Sequence, residues 1–295
     1  MPLEEVLQAV PELRNAQSVA DLSGGLTNTN WKVVSPAGTF VVRIAGRDTG
    51  LLGIDRTNEV HNTIAAAETG VGARVIASLP EHAALVLEFI EGTRLHADGL
   101  GSRLDQVAAA CKRLHAGRPF LRDFDMFALQ RRYLATVQER GFRLPARYLE
   151  VEPLVREMEA AMRVRPEPRV PCNDDLLAEN FIDTGNGLRL IDYEYSGNNE
   201  PSFELGNSWS ESRLSDEQLE ELVTHYYGAP HRDKIARCRL WGVAAKYGWM
   251  LWASIQEGVS EIEFDYWSWG LEKYERALEE LEGPLFEQLL ADVSS

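Results

Sequence analysis

Carboxylates and side-chain amides are concentrated between Cys172 and Tyr195, around a glycine-containing turn at 183–187. Asp175 lies five residues before Asn180, and Asp192 directly follows a second short apolar run. Acidic groups held close together cost free energy unless a cation is bound among them. The same groups position a hydroxyl and hold Mg²⁺ beside nucleotide phosphates in phosphoryl transfer. The spacing therefore predicts a kinase-type site at one end of a β-hairpin.

A glycine-rich turn stands between two β-like runs in the segment 22–34, LSGGLTNTNWKVV. Because glycine has no Cβ, backbone N–H groups in such a turn can approach phosphate oxygens closely. An ordinary β-hairpin turn explains the same residues, and the turn alone does not decide between the two. The predicted nucleotide contacts in this turn are Ser23, Gly24, Gly25, Thr27 and Asn28.

Arg43 stands in the apolar, strand-like run 39–44, where an unpaired charge would be expensive to bury. The segment 58–68 has helical spacing and carries Glu59 near its start. We therefore predict an ion pair between Arg43 and Glu59, with Arg43 also reaching the nucleotide phosphates. The alternative is an edge position for Arg43 and a solvated first-turn carboxylate at Glu59.

The character of the chain changes at Gly92. Residues before it are rich in strand-like runs with one clear helix, and residues after it are mainly helical. The pattern predicts an α+β protein with two lobes, a nucleotide-binding lobe at 1–92 and a larger helical lobe at 93–295. The backbone that crosses between the lobes could pair with a purine base. The residues at this crossing are Glu88, Phe89 and Ile90.

Aromatic residues are dense in the last third of the chain, which holds six of the seven tryptophans. Trp249 and Trp252 are three residues apart on a helical pattern, so they share one face. Core packing is the usual explanation for helical aromatics. The alternative is an aromatic cage whose rings attract a quaternary ammonium, completed by a carboxylate such as Glu211.

The composition excludes several classes of partner. Acidic residues number 46 against 30 basic ones, and the formal charge of −16 disfavours nucleic acid and anionic membrane surfaces but favours a small cationic substrate. The three cysteines, Cys111, Cys172 and Cys238, show no metal-binding or disulfide spacing, which predicts a reducing, cytoplasmic environment. Neither a secretory signal nor a membrane-spanning run is recognisable.

Together these motifs resemble the choline/ethanolamine kinase family, within the wider aminoglycoside phosphotransferase and protein-kinase-like fold. The resemblance extends from Leu22 to about Tyr274. Its most specific part is IDYEYSG at 191–197, which continues to LGN at 205–207. The other parts are the glycine-rich turn, VRI at 42–44 and the pair Asp175 and Asn180.

The resemblance implies a bilobal kinase that uses ATP and Mg²⁺ to convert choline to phosphocholine. It implies that Asp175 orients the substrate hydroxyl and accepts its proton, that Asn180 and Asp192 hold Mg²⁺, and that Arg43, paired with Glu59, braces the phosphates. Ethanolamine, another amino alcohol or an amino sugar remains an alternative acceptor. The residues that match the family's choline pocket and its approaches are Glu194, Tyr195, Glu211, Trp249, Trp252, Tyr266 and Trp269.

One residue departs from the family pattern. Asn173 stands where the family usually has the histidine that braces the catalytic loop, and this makes a catalytically weak, pseudokinase-like protein a further alternative. The neighbouring Asp174 is interpreted as a bystander, because the spacing to Asn180 selects Asp175 as the catalytic carboxylate. The oligomeric state stays open.

Overall fold

An antiparallel sheet forms the N-terminal part of the chain. The computed structural model describes residues 2–22, 25–46 and 49–295, so the predicted contacts Ser23 and Gly24 lie outside the described residues. The strands are β1 (Ser18–Leu22), β2 (Asn28–Ser35), β3 (Gly38–Ala45), β4 (Val75–Leu79) and β5 (Ala84–Glu88). Their order in the sheet is β1-β2-β3-β5-β4. The flanking helices are α1 (Pro2–Ala9) and α2 (Arg56–Glu68).

Strand β3 joins the small core of this part to the candidate site. Phe40 and Val42 point into a cluster of buried apolar residues, as the two-residue period of a strand requires. Arg43 follows on the other face and contacts Glu59 of helix α2. That helix begins at a fixed residue, because the side chain of Asp55 accepts hydrogen bonds from the first free backbone N–H groups. The start of α2 is therefore anchored beside β3.

The C-terminal part is a bundle of helices around one long central helix. Its helices are α3 (Ala97–Leu100), α4 (Leu104–His115), α5 (Met126–Arg140), α6 (Glu152–Met162), α7 (Pro201–Glu211), α8 (Asp216–Tyr227), α9 (Arg232–Val259), α10 (Tyr266–Leu281) and α11 (Phe286–Ser294). In α9, every residue from 240 to 256 is buried, which is typical of a helix enclosed on all sides. Helices α5, α7 and α10 pack around it.

Short strands carry the loops of the candidate site. They are β6 (Thr93–Arg94), β7 (Val170–Cys172), β8 (Phe181–Asp183), β9 (Leu188–Leu190) and β10 (Gly197–Asn199). Strand β8 pairs with β6 and β9, and β7 pairs with β10. Strand β7 ends just before Asn173 and β9 ends just before Ile191. The two strands belong to different sheets, and the loops after them are joined by hydrogen bonds from the Asn173 side chain.

The predicted α+β architecture, with a sheet first and helices after it, is confirmed. The lobe boundary at Gly92 stays a prediction; β6 follows it at once and pairs with β8 of the C-terminal part. Within the described ranges, no helix is both long enough and apolar enough to cross a membrane.

Candidate active site

Asn173 connects the two acidic loops. Its side-chain N–H₂ donates to the carbonyl oxygens of Ile191 at 3.2 Å and Asp192 at 2.8 Å, and its Oδ1 accepts the backbone N–H of Asp175 at 3.2 Å. Asp192 has a φ of 66°, a left-handed conformation that a non-glycine residue keeps only when its surroundings hold it. The side-chain amide of Asn173 therefore holds the backbones of Asp175 and Asp192 in a fixed position relative to each other.

Glu204 of α7 holds the loop that begins at Asn173 through its backbone. It is fully buried, and its two carboxylate oxygens accept the backbone N–H groups of Asn173 and Asp174, each at 2.8 Å. Helix α7 lies so close to α9 that a Cβ at Gly206 would collide with the backbone of Cys238. The sequence analysis did not single out Glu204. An acidic residue between Phe203 and Leu205 in an apolar helix is the signal that could have found it.

Asn173→Ala tests whether this asparagine braces the loop. We expect kcat to fall roughly tenfold or more, because misplaced reacting groups lose the advantage of orientation. We also expect the free energy of unfolding to fall by about 1–3 kcal/mol, since buried backbone groups lose their partners. Steady-state kinetics and urea unfolding measure the two effects. Asn173→His, which keeps one ring N–H donor, should recover much of kcat; equal kcat in wild type and Asn173→Ala would contradict the bracing role.

Asp174 and Asp175 differ in how deeply they are buried. Asp174 is completely buried, and its Oδ1 accepts a hydrogen bond from Asn199 at 2.8 Å. Burial, reinforced by Glu204, raises the pKa of Asp174 well above its usual value. Asp175 is only partly buried and is the more accessible of the two aspartates. Burial also raises the pKa of Asp175, and the carboxylates of Asp192 and Glu194 add to this effect.

Asn180 and Asp192 carry the groups that fit a divalent cation. The N–H₂ of Asn180 donates to the carbonyl oxygen of Asp175 at 2.7 Å, and its backbone carbonyl accepts the N–H of Ile191 at 3.0 Å. The Oδ1 atom of Asp192 accepts a hydrogen bond from Arg43 Nη1. Among the described residues no hydrogen bond is found for Asn180 Oδ1 or Asp192 Oδ2, which are hard oxygen ligands of the kind that Mg²⁺ prefers. A cation here would also offset the mutual repulsion of the carboxylates.

The predicted ion pair between Arg43 and Glu59 is confirmed. Arg43 Nη1 lies 2.8 Å from Glu59 Oε1 and 2.9 Å from Asp192 Oδ1. Burial alone would lower the pKa of Arg43, but the carboxylates of Asp192 and Glu59 outweigh it and raise the pKa. Arg43 therefore stays charged and ties β3 to α2 and to the loop after β9.

Glu194 takes part in a second contact between the sheet region and the helical part. Its Oε2 accepts hydrogen bonds from Asn28 Nδ2 at 2.8 Å and Arg56 Nη1 at 3.2 Å. Arg56 also contacts Glu59 Oε2 at 2.7 Å, and it was not predicted. Burial and the neighbouring Asp192 raise the pKa of Glu194 to about 7. The structure thus uses the side chain of Asn28, predicted to contact nucleotide, to hold Glu194.

Of the residues predicted to contact nucleotide in the glycine-rich turn, the structure describes Gly25, Thr27 and Asn28. A Cβ at Gly25 would collide with the carbonyl oxygen of Asn28, so this position requires glycine. Thr27 accepts the N–H of Gly46 at 3.1 Å through its backbone carbonyl.

In the segment 88–90, predicted to cross between the lobes, two backbone N–H groups already have partners. The N–H of Glu88 donates to Arg74 O at 2.9 Å and that of Phe89 to Thr39 O at 3.1 Å. These two N–H groups are therefore not free for a purine. The predicted base contact stays a prediction for the carbonyl groups of this segment and for Ile90.

Aromatic residues predicted from three separate segments come together in one cluster. Tyr195 lies edge-on to the ring of Trp249 at 5.2 Å, and its hydroxyl accepts the indole N–H of Trp252 at 2.7 Å. Trp252 in turn contacts the rings of Tyr266 at 5.8 Å and Trp269 at 5.4 Å. The cluster joins the loop after β9 to α9 and α10.

The backbone of the glycine-rich turn touches this cluster. The carbonyl oxygen of Leu26 accepts hydrogen bonds from Gln256 Nε2 at 2.9 Å and from Tyr266 Oη at 3.0 Å. Gln256 was not predicted. These contacts place the described end of the turn next to the aromatic residues, so the two predicted binding regions adjoin.

Glu211 already has a cationic partner within the chain. Its Oε2 forms an ion pair with Lys273 Nζ, and the two side chains are 4% and 5% exposed. Lys273 Nζ also lies over the ring of Trp269, 4.2 Å from its centroid. Lys273 was not predicted, because nothing in the sequence fixes which residue of α10 faces the end of α7.

Comparison with known proteins identifies relatives over most of the chain. Residues 19–234 match the family model described as Choline/ethanolamine kinase. Human ethanolamine kinase 2 is 27% identical over 257 residues, covering 77% of this chain and 65% of that protein. Protein LicA of Haemophilus influenzae is 25% identical over 278 residues, covering 88% of this chain and 79% of that protein. The chain thus spans just under two thirds of the human relative.

Solved structures agree with these matches. A choline/ethanolamine kinase family protein from Mesorhizobium loti superposes with a TM-score of 0.87 at 29% identity, covering 100% of this chain and 99% of that one. The choline kinase LicA from Streptococcus pneumoniae gives 0.81 at 26% identity, covering 95% and 98%. An aminoglycoside phosphotransferase at 14% identity gives 0.65 over 96% of this chain and 99% of that one, which shows the shared fold alone.

Proposed function

Because the chain belongs to the choline/ethanolamine kinase family, we propose that it transfers the γ-phosphoryl group of ATP to the hydroxyl of an amino alcohol, with Mg²⁺. The observation that carries this proposal is the Asn173 amide, which binds the backbones of both Asp175 and Asp192. The carboxylate for the hydroxyl and the carboxylate for the metal thereby belong to one fixed unit. The same three hydrogen bonds favour an active enzyme over a pseudokinase.

Each residue of the candidate site has a distinct task in the proposed reaction. Asp175 orients the acceptor hydroxyl and takes its proton as the bond to phosphorus forms. Asn180 and Asp192 would hold Mg²⁺, which supplies charge neutralisation on the phosphate oxygens when it is bound. Arg43, held by Glu59, adds positive charge beside Asp192.

The nucleotide is proposed to lie between the glycine-rich turn and Ile90. The requirement for glycine at position 25 supports a close approach of backbone to phosphate. Solved structures of LicA with AMP and of an aminoglycoside phosphotransferase with GDP support nucleotide binding in this fold. We further propose a cytoplasmic location, supported by cysteines that are free and buried.

Choline is the acceptor that the sequence predicts, and the aromatic cluster supports it. Trp252 and Tyr266 are buried aromatic side chains of the type that attracts a quaternary ammonium, and they contact each other. The ring of Trp269 is covered by Lys273. Ethanolamine is a second candidate, favoured by one observation. Glu211 Oε1 is buried and has no hydrogen-bond partner among the described residues, and a primary ammonium could donate to it.

A phosphorylation screen tests the proposed function. Purified protein is incubated with ATP and Mg²⁺ and with choline, ethanolamine, their methylated intermediates or an aminoglycoside, and the phosphorylated product is measured by mass spectrometry. We expect product with choline or ethanolamine that is lost on chelation of the metal. ATP hydrolysis without any phosphorylated acceptor would refute the proposal.

Trp252→Leu tests the aromatic part of the acceptor site. We expect the KM for the preferred amino alcohol to rise about tenfold, because a desolvated cation–π contact contributes roughly 1–2 kcal/mol. The KM for ATP should not change. Trp241→Leu on the same helix is the control, since that indole binds Glu200 away from the site and its loss should affect stability alone. An unchanged acceptor KM in Trp252→Leu would assign Trp252 to core packing.

A further inference from the structure

The ion pair between Lys273 and Glu211 occupies the groups that a substrate ammonium would use. Glu211 is the carboxylate predicted to complete a cation site, and Trp269 supplies one of its ring faces. Lys273 contacts both, with its ammonium 4.2 Å from the Trp269 ring centroid. The chain therefore supplies its own cation where the pocket was predicted to bind one.

The pair belongs to the acceptor side of the site. Trp269 contacts Trp252, and Trp252 donates its indole N–H to Tyr195, three residues after the metal-binding Asp192. Glu211 and Lys273 are also among the charges that act on Asp175. Trp269 and Trp252 thus connect the pair to the loop that carries Asp192.

The two oxygens of Glu211 differ in what they can accept. Oε2 is bound to Lys273, whereas Oε1 is buried without a hydrogen-bond partner among the described residues. A buried, unpaired carboxylate oxygen is costly, and a ligand N–H would relieve that cost. A primary ammonium has such N–H groups, and a trimethylammonium has none. The trimethylammonium would also have to compete with Lys273 for the face of Trp269.

We infer that Lys273 is a specificity-determining residue that favours amino alcohols with at least one ammonium N–H over quaternary ammonium alcohols. This inference rests on the proposed function, because it concerns the acceptor of that same site. Lys273 acts in two ways: it neutralises Glu211, which weakens the attraction for a charge without N–H groups, and it covers Trp269.

Lys273→Met is the principal test, because methionine keeps an unbranched apolar chain and removes the charge. The ratio of kcat/KM for ethanolamine to that for choline should fall about tenfold, since the freed ring face and carboxylate can take a trimethylammonium. Binding of each amine, followed by tryptophan fluorescence without ATP, should show the same shift. Lys273→Arg keeps a cation and should retain the wild-type ratio.

A second variant covers the possibility that Lys273→Met folds poorly, since it leaves Glu211 as a buried unpaired charge. Glu211→Gln with Lys273→Met removes both charges and still frees Trp269, so its ratio should also fall. Lys112→Met is the matched control, because Lys112 lies 5.8 Å from the ring centroid of Tyr226, away from the aromatic cluster. It should leave the ratio unchanged.

The outcomes separate this inference from the proposed function. An unchanged binding ratio in both folded Lys273 variants would overturn the inference even if both amines are phosphorylated. A shifted binding ratio without phosphorylation would support the inference and refute the proposed kinase activity. If neither amine binds to wild type or to the folded variants, both are overturned.

Discussion

Asp175→Ala is expected to lower kcat by about 10²- to 10⁴-fold, the range in which a positioned general base contributes. The affinity for ATP should change little. The loop keeps its shape without the carboxylate, because Asn173 and Asn180 hold Asp175 through its backbone N–H and carbonyl oxygen. The substitution therefore removes the proposed proton acceptor and leaves the proposed nucleotide site in place.

The measurement pairs single-turnover phosphorylation with calorimetric titration of a non-hydrolysable ATP analogue. Asp174→Asn is the matched control, since it changes the adjacent carboxylate. Asparagine tolerates the left-handed φ of 65° at position 174 and can still accept the hydrogen bond from Asn199. Its kcat should remain close to that of wild type. Residual turnover of Asp175→Ala above about a tenth of wild type would remove Asp175 from the base role.

Contacts that follow from local chemistry could be predicted from the sequence. An arginine inside an apolar strand needs a partner, and the start of the next helix offered Glu59, so the Arg43 ion pair was found. The three-residue spacing of Trp249 and Trp252 placed them on one helix face, and both contact Tyr195. The order of strands and helices followed from hydrophobic periodicity.

Contacts between distant elements could not be predicted in this way. Lys273 and Glu211 lie on α10 and α7, and sequence spacing does not fix how two helices turn towards each other. Arg56 and Glu194 meet for the same reason, across the junction of the sheet region and the helical part. The N–H groups of Glu88 and Phe89 were expected to be free, but they donate to the carbonyl oxygens of Arg74 and Thr39. A hydrophobic pattern locates a strand without locating the last hydrogen bond at its end.

Asn173 changes in meaning when the contacts are known. As a sequence feature it was a departure from the family pattern that suggested weak catalysis. In the fold it donates two hydrogen bonds and accepts one, where a single ring N–H was the donor expected of a histidine. Two side chains then hold the loop: Asn173 binds it to the backbone at 191–192, and Glu204 of α7 accepts its backbone N–H groups.

Glu204→Gln is expected to cause the second large loss. Glutamine has one acceptor oxygen, so its N–H₂ group would face a backbone N–H donor of Asn173 or Asp174. Hydrogen bonds to a charged acceptor contribute about 1.5–3 kcal/mol each, and losing one while leaving a buried donor unpaired should lower the free energy of unfolding by roughly 2–4 kcal/mol. We expect kcat to fall about 10²-fold, because Asp175 follows directly in the loop that Glu204 holds.

A kinetic comparison separates the positioning role of Glu204 from general stability. Kinetics are measured below the unfolding transition, where near-ultraviolet circular dichroism reports a folded protein. Glu167→Gln is the control: Glu167 is also buried, and it accepts the N–H of Ser202 at the start of the same helix. Both variants should lose stability, but only Glu204→Gln should lose kcat with the KM for ATP unchanged. Equal kcat in the two variants would mean that Glu204 supports the fold and does not position the catalytic loop.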